Sequence, residues 1–386
     1  MLQALVNARV LLDEGFVGGH AVLIEGAKIT AVVAQDDPRV KTARTRDLGG
    51  LLLVPGFIDT QVNGGGGVLF NDAPSVDTIR QIGLAHRSFG TTGFLPTLIS
   101  EDLPTVARAI AATDQAIAVG VPGLLGIHIE GPFLNSARKG VHDAAKIRSL
   151  DTGALQLLTS LKHGRTVVTL APEMTAQGMI RRLVEAGVIV SAGHTNATHE
   201  EIRSALAEGL TGFTHLFNAM SQLTVREPGV VGAALDDPSS WCGIIVDGKH
   251  VHPAVLRIAV RSKRLDRFML VTDAMPSVGG EAKRSFKLQG RAISIADNVC
   301  VDEFGTLAGS DTDMASSVRN AVGMLGLELP EAVRMASRYP AEFLRLGAEF
   351  GRIARGYRAN FALLDADCKV QATWIDGECA GASAAG

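Results

Sequence analysis

Eight short apolar segments, each ending in polar residues, recur along residues 54–274 and constrain the fold more than any other feature. Each is short enough for a buried strand, and stretches with helical periodicity separate most of them. The alternation predicts an α/β protein built on a TIM-like (β/α)8 barrel, whose functional side chains cluster at the carboxyl ends of the strands. The predicted strand segments are residues 56–63, 92–97, 124–130, 167–173, 187–194, 212–218, 242–250 and 268–274.

Helical patterns fill most of the intervening stretches. A doubly wound open sheet is the rival architecture, but its usual G-x-G-x-x-G turn after the first strand is missing. The barrel is therefore the favoured fold. The predicted helices are residues 78–89, 103–118, 179–186, 200–207 and 253–263.

The two ends of the chain have a different pattern from the barrel segment. Both contain stretches typical of β-strands, which predicts one small β-sandwich domain made of residues 1–53 and 348–386, beside a catalytic barrel of residues 54–347. Strand-like pieces around Asp297 and Gly305 predict a β excursion inserted after the eighth barrel strand.

Composition and charge exclude two classes of partner. A formal charge of -3 and a pI near 6.4 give no basic field for nucleic acid. No export signal and no apolar stretch long enough to span a membrane is found. The four cysteines lack a C-x-x-C pair, which fits reduced thiols. We therefore expect a cytoplasmic protein that acts on a small molecule.

Three residues of metal-ligand type end three of the predicted strands: Glu130, His194 and His215. Catalytic zinc commonly takes three protein ligands and leaves one position open for water. A single histidine would more often be an ordinary core or surface residue. Three such residues at strand ends instead predict a hydrolytic metal site.

Asp273 and His142 are the candidate catalytic residues. Asp273 ends the eighth strand, where a carboxylate can take a proton from water and return it to a leaving nitrogen. The alternative is a helix N-cap or a buried hydrogen-bond acceptor. His142 follows the Glu130 strand in a loop that could reach across the site and polarise a carbonyl.

The loops after the later strands supply further candidates. Arg226 follows the sixth strand and suits a phosphate, with a solvated loop cation as the equal alternative. His250 and His252 form an H-x-H pair, but Pro253 makes His252 a residue at the start of a helix, so only His250 is assigned to the site. The glycines of residues 64–67 lack the Lys-Ser/Thr of a phosphate loop and predict a flexible turn.

Eight motifs occur in order along the chain: VPGFID (54–59), GIHIEGPFLN (126–135), KGVH (139–142), LAPE (170–173), GHTNA (193–197), THLFNAM (214–220), DGKHVHP (247–253) and VTDA (271–274). This ordered set resembles the N-acetylglucosamine-6-phosphate deacetylase family of the amidohydrolase superfamily across almost the whole chain. The resemblance implies hydrolysis of the acetamide of an N-acetylhexosamine 6-phosphate to glucosamine 6-phosphate and acetate.

The same resemblance implies a role for each site residue. Glu130, His194 and His215 would bind the metal, Asp273 would carry the proton and His142 would polarise the acetamide carbonyl. The family is usually dimeric, so we expect a homodimer in which Arg226 reaches the phosphate in the neighbouring subunit. The implied substrate contacts are Val141, His142, Asn218, Ala219, Arg226, His250, Leu307, Ala308 and Gly309.

The first predicted strand departs from the wider superfamily. Gln61 and Asn63 stand where many members have H-x-H, so we expect one divalent ion per chain, with Zn²⁺ favoured over Fe²⁺ or another ion. The nearest alternatives are a deacetylase of N-acetylgalactosamine 6-phosphate and another amide hydrolase on the same scaffold. A non-catalytic binding protein is disfavoured because all four metal and shuttle candidates are present.

Overall fold

The computed structural model describes residues 1–280, 285–296 and 299–381. In chain order its strands are β1 (Leu2–Leu12), β2 (Gly15–Glu25), β3 (Lys28–Ala34), β4 (Arg44–Asp47), β5 (Leu52–Pro55), β6 (Phe57–Val62), β7 (Gly64–Gly65), β8 (Val68–Leu69), β9 (Thr91–Ile99), β10 (Gly126–Glu130), β11 (Arg165–Leu170), β12 (Ile189–Ala192), β13 (Gly212–Phe213), β14 (Trp241–Ile244), β15 (Phe268–Leu270), β16 (Ser285–Leu288), β17 (Arg291–Ala296), β18 (Val299–Asp302), β19 (Leu307–Ser310), β20 (Phe361–Leu364), β21 (Val370–Ile375) and β22 (Glu378–Gly381).

The helices follow the predicted spacing. Asp102 caps the helix that begins at Leu103, because its carboxylate accepts a hydrogen bond from the Thr105 backbone N–H. No helix of the described residues is long and apolar enough to cross a membrane. The helices are α1 (Pro38–Thr42), α2 (Val76–Arg87), α3 (Leu103–Ala118), α4 (Thr152–Leu158), α5 (Met179–Glu185), α6 (His199–Ala207), α7 (Gly229–Asp236), α8 (Pro253–Ser262), α9 (Met314–Leu325), α10 (Leu329–Ala336) and α11 (Arg338–Phe343).

Eight parallel strands form the barrel, in the order β15-β14-β13-β12-β11-β10-β9-β6. A parallel bridge between Val62 and Ala274 joins the first and last strands. Asp273 N–H also donates to the Gln61 carbonyl at 3.0 Å. Every residue of β6, β9 and β10 is buried, as expected where helices cover the outside of a barrel and side chains fill its interior. The predicted barrel is confirmed.

Strands from both ends of the chain form one further sheet, in the order β22-β21-β20-β5-β1-β2-β3, with β4 paired to β1. Strand β20 alternates between two cores: Phe361 and Leu363 pack in the core of this sheet, while Ala362 and Leu364 pack in the barrel core. Ile29 N–H donates to the Tyr357 carbonyl at 2.9 Å, linking the β3 edge back towards β20. The sheet therefore curls around its own apolar core and lies against the barrel.

The predicted excursion after the eighth barrel strand is a four-stranded antiparallel sheet, β16-β17-β18-β19. Asp297, near one of the predicted strand pieces, lies outside the described residues. Gly305 lies in the turn between β18 and β19, with strands on either side. The last strand brings residues 307–310 beside the end of β15, because Ser310 N–H donates to the Asp273 carbonyl at 2.9 Å. The glycine-rich stretch at 64–67 contributes a short hairpin, β7-β8.

Candidate active site

The three predicted metal ligands converge at the carboxyl end of the barrel. Glu130 ends β10, while His194 and His215 each lie two residues beyond their strands, β12 and β13. Glu130 Oε1 lies 3.2 Å from His194 Nε2 and 2.9 Å from His215 Nε2, and the two imidazole nitrogens lie 3.1 Å apart. All three residues are buried. One ligand atom from each therefore points at a single place.

The backbone at these strand ends adopts an unusual conformation. His194, His215 and Asp273 have φ angles of 49°, 33° and 54°, in the left-handed region that residues other than glycine rarely occupy. Such conformations cost free energy and cluster at functional sites. At each of these positions the chain leaves the strand direction as soon as the barrel ends. Three of the residues that form the site thus adopt this strained conformation.

The donor set fits a divalent cation. His194 Nδ1 lies 2.9 Å from the Arg138 carbonyl, which can only accept, so Nδ1 carries a proton and Nε2 is the ring nitrogen left to bind a cation. Burial would raise the pKa of Glu130, but its contacts with His194 and His215 outweigh burial and lower that pKa well below its usual value. A carboxylate and two imidazole nitrogens form a ligand set that suits catalytic zinc.

Asp273 is held beside this cluster by two side-chain amides. Asn63 Nδ2 donates to Asp273 Oδ1 at 2.6 Å, and Gln61 Nε2 donates to the same oxygen at 3.1 Å. Gln61 Nε2 also lies 3.1 Å from Glu130 Oε2. Burial, followed by the negative charge of Glu130, raises the pKa of Asp273 to about 6. Asp273 therefore lies beside the cluster with a carboxyl group whose pKa is raised above its usual value.

His142 faces the cluster as a neutral hydrogen-bond donor. Its Nδ1 accepts from the Ser100 backbone N–H at 3.3 Å and lies 2.7 Å from Ser100 Oγ. Because a backbone N–H can only donate, Nδ1 carries the lone pair and the ring proton is on Nε2. Burial lowers the pKa of His142 well below its usual value, so the ring stays neutral. Its ring centroid lies 4.3 Å from that of His194, which places the ring at the site.

A cavity of about 480 Å³ opens above these residues. The metal-type ligands, Asp273, His142 and most of the predicted substrate contacts line it together. Two predicted contacts do not: the Ala308 side chain is buried in the core under β19, and Arg226 lies on an exposed loop after β13, away from the cavity of its own chain. The predicted residues that line the cavity are Glu130, Val141, His142, His194, His215, Asn218, Ala219, His250, Asp273, Leu307 and Gly309.

Glycine is required at position 309 because β19 packs closely against the segment that contains Asp273. Its φ is 70°, and a Cβ atom at this position would lie 2.7 Å from the Asp273 carbonyl oxygen.

His250 and His252 of the H-x-H pair lie in different surroundings. His250 lines the cavity, whereas His252 is the N-cap of α8 and accepts from Ala254 N–H at 3.2 Å.

Several residues in or beside the cavity have no role assigned from the sequence. Arg138 lines the cavity, with its Nε donating to Asn196 Oδ1 at 2.8 Å. Ser100 orients His142, and Gln61 with Asn63 binds Asp273. No local pattern marks these residues, since each acts on a partner from a distant part of the chain. Gln61 and Asn63 are distinguished in the sequence only by standing where many relatives have an H-x-H motif.

Comparison with known proteins agrees with this geometry. Residues 52–380 match the family model described as the amidohydrolase family. The chain is 46% identical over 326 residues to an N-acetylgalactosamine-6-phosphate deacetylase of Shewanella sp. (strain ANA-3), covering 84% of this chain and 82% of that protein. It is 36% identical over 380 residues to an N-acetylglucosamine-6-phosphate deacetylase of Haemophilus influenzae, covering 98% and 99%.

A solved structure shows the same architecture. The N-acetylglucosamine-6-phosphate deacetylase of Pasteurella multocida superposes with a TM-score of 0.95 at 36% identity, covering 99% of this chain and 100% of that one. The match extends over both the barrel and the small sheet. The chain therefore belongs to the amidohydrolase family and, within it, to the group of N-acetylglucosamine-6-phosphate and N-acetylgalactosamine-6-phosphate deacetylases.

Proposed function

We propose that this protein hydrolyses the acetamide of N-acetyl-D-glucosamine 6-phosphate to D-glucosamine 6-phosphate and acetate, in amino-sugar catabolism. One observation carries the proposal: a buried carboxylate–imidazole–imidazole cluster, an aspartate tuned near neutrality and a neutral imidazole donor line one cavity. These are the parts that amide hydrolysis needs, namely a site for an electrophile, a proton carrier and an oxyanion stabiliser. The deacetylase relatives support the choice of substrate.

Glu130, His194 and His215 would hold one divalent ion, which we propose to be Zn²⁺ with Fe²⁺ as the alternative. When bound, the ion would lower the pKa of a water and polarise the acetamide carbonyl. Asp273 takes a proton from the attacking water as its oxygen bonds to the carbonyl carbon. His142 donates its Nε2–H to the developing oxyanion. Asp273 then gives its proton to the nitrogen as the C–N bond breaks, releasing acetate and the amine.

The substrate-binding residues remain part of the proposal. Val141, Asn218, Ala219, His250, Leu307 and Gly309 line the cavity and are proposed to bind the sugar and its phosphate, with Ala308 supporting the last two from the core. Arg226 is exposed and has exposed apolar neighbours, Leu223 and Val225, on the same loop. We infer a homodimer in which Arg226 reaches the partner's phosphate.

Two features of organisation are proposed on the same basis. Residues 1–53 and 348–386 would act as one small domain beside the catalytic domain of residues 54–347. Cytoplasmic location is proposed because sugar phosphates are intracellular metabolites and the four cysteines are free thiols.

A second candidate substrate is N-acetylgalactosamine 6-phosphate. The relative from Shewanella, 46% identical to this chain, is a deacetylase of that epimer. The two sugars differ only at C4, so the catalytic cluster would act on either. Loop contacts to the sugar hydroxyls must therefore decide between them.

The test is acetate release from both 6-phosphates and from unphosphorylated N-acetylglucosamine, with metal content assayed on the same sample. Release from N-acetylglucosamine 6-phosphate with the higher kcat/KM, at about one metal per chain, supports the proposal. A higher kcat/KM for the galactose epimer selects the second candidate. No release from either 6-phosphate by metal-loaded protein refutes both. Chelation should abolish release, and added Zn²⁺ should restore it.

A further inference from the structure

Asp247 and His250 form a buried acid–imidazole pair at the edge of the cavity. Both follow β14, and His250 Nδ1 lies 2.6 Å from Asp247 Oδ2. Only 4% of the His250 side chain and 2% of the Asp247 side chain are exposed. The imidazole lines the cavity, whereas Asp247 does not. The carboxylate can therefore affect a ligand only through the ring of His250.

The other oxygen of Asp247 is fixed by the backbone. Asp247 Oδ1 accepts from Lys249 N–H at 2.8 Å and from His250 N–H at 2.9 Å. These bonds hold the carboxylate in place and leave Oδ2 for the ring. Burial would raise the pKa of Asp247, but the hydrogen bond with His250 and its charge outweigh burial and lower that pKa. Asp247 therefore stays ionised, and a carboxylate without protons forces Nδ1 of His250 to be the donor.

We propose that Asp247 is a positioning residue that holds His250 with Nδ1–H bound and Nε2 directed into the cavity, where the ring binds the substrate phosphate. This inference rests on the proposed function and deepens it. When Nε2–H donates to a bound phosphate oxygen while Asp247 holds Nδ1–H, the ring carries a positive charge between two anions, and opposite charges favour that form. A charged donor binds a phosphate oxygen more strongly than a neutral one.

The substitution Asp247→Asn removes the charge of this side chain but keeps its shape. The two backbone N–H groups require an oxygen at Oδ1, so the new amide must direct its NH2 group at His250 Nδ1. The ring then becomes neutral, with its proton on Nε2, and keeps a donor but loses the charge. Asp237→Asn is a matched control, because Asp237 Oδ1 likewise accepts from two following backbone N–H groups, of Ser239 and Ser240, far from the cavity.

Steady-state acetate release tests the pair. For N-acetylglucosamine 6-phosphate, Asp247→Asn should raise KM about tenfold and leave kcat within about twofold, as expected for the loss of one charge-assisted contact made equally in the ground and transition states. Its kcat/KM for the unphosphorylated sugar should match the wild type. Asp237→Asn should leave all constants unchanged. In a His250→Ala background, Asp247→Asn should cause no further rise in KM, since Asp247 acts through the ring of His250.

The ring itself gives a readout independent of turnover. In ¹⁵N-histidine-labelled protein with glucosamine 6-phosphate bound, both His250 nitrogens should carry a proton in the wild type and only Nε2 should carry one in Asp247→Asn. Equal KM values in wild type and Asp247→Asn, or an equal loss with the unphosphorylated sugar, would overturn the inference. A wild type that releases no acetate from either 6-phosphate would instead refute the proposed function, whatever Asp247 does.

Discussion

Asp273 is the residue on which the proposed chemistry depends most directly. Asp273→Asn keeps the size of the side chain and its contact with Asn63 but cannot accept a proton. We expect substrate affinity close to that of the wild type and a fall in kcat of about 10²–10⁴-fold, the usual contribution of a positioned acid–base group. Calorimetric titration with substrate and acetate release measure the two quantities. Substantial turnover by this variant would contradict the assignment.

The pH profile reports on the same carboxyl group. Burial and the charge of Glu130 place the pKa of Asp273 at about 6, and a cation at the cluster would draw this pKa down. The active form is the carboxylate, which is lost as pH falls, so kcat/KM should decline on the acid side with a midpoint at or below pH 6. An acid limb centred above neutrality would identify a different base. Circular dichroism over the same pH range controls for unfolding.

Glu130, His194, His215 and Asp273 could be brought together from the sequence because each was predicted to end a strand, whereas His142 was assigned from its place in a loop. Their partners could not be predicted. Ser100 and His142 are 42 residues apart, and Gln61 and Asp273 are 212 residues apart. Such contacts are created only when the barrel closes, and nothing in either local sequence specifies them.

At the scale of elements, the first and last barrel strands are joined through Asp59 of β6. Its carboxylate accepts from the Thr272 hydroxyl, from Thr272 N–H at 3.3 Å and from Gln61 N–H at 3.2 Å. Asp59→Ala would leave these buried donors without an acceptor, which should lower the free energy of unfolding by about 3 kcal/mol. Denaturant titration measures this change.

Asp77→Ala is the control for Asp59→Ala. Asp77 lies in the first turn of α2, its side chain is 90% exposed, and it pairs only with Arg80 at the surface. This substitution should change the free energy of unfolding by about 0.5 kcal/mol or less. Equal effects of the two substitutions would show that Asp59 does not stabilise barrel closure.

Elements whose ends are marked by local sequence features lie close to their predicted bounds, whereas elements without such features can depart from them. Helix α3 (Leu103–Ala118) has the predicted bounds, because its capping aspartate and the period of its apolar residues are local features. The apolar segment at 212–218 was predicted as a full strand, yet only Gly212–Phe213 pairs as β13. The chain turns at His215 to bring the imidazole to the cluster. Side-chain placement at the site therefore overrides the strand pattern there.

At the scale of the whole molecule, the small sheet joins the two ends of the chain. Its β-strand character could be predicted from both terminal segments. The pairing of β5 with β20 could not, because it depends on Ala362 and Leu364 packing into the barrel core while Phe361 and Leu363 face the other way. Register between distant strands is set by which face is buried, and that is decided only in the folded molecule.

The proposed dimer predicts a gain of activity that requires two different chains in one molecule. If Arg226 binds the phosphate in the partner's cavity, then in separate homodimers Arg226→Ala should raise KM and Asp273→Asn should lower kcat by about 10²–10⁴-fold. In a mixed dimer, the cavity of the Arg226→Ala chain retains Asp273 and receives Arg226 from its partner, which makes that site complete. Mixing and reassembling the two variants should therefore raise the rate of acetate release at low substrate concentration. The rate should exceed the sum of the rates of the two separate homodimers. If Arg226 instead binds the phosphate in the cavity of its own chain, the mixture will show no gain in rate, because neither kind of chain then contains a complete site.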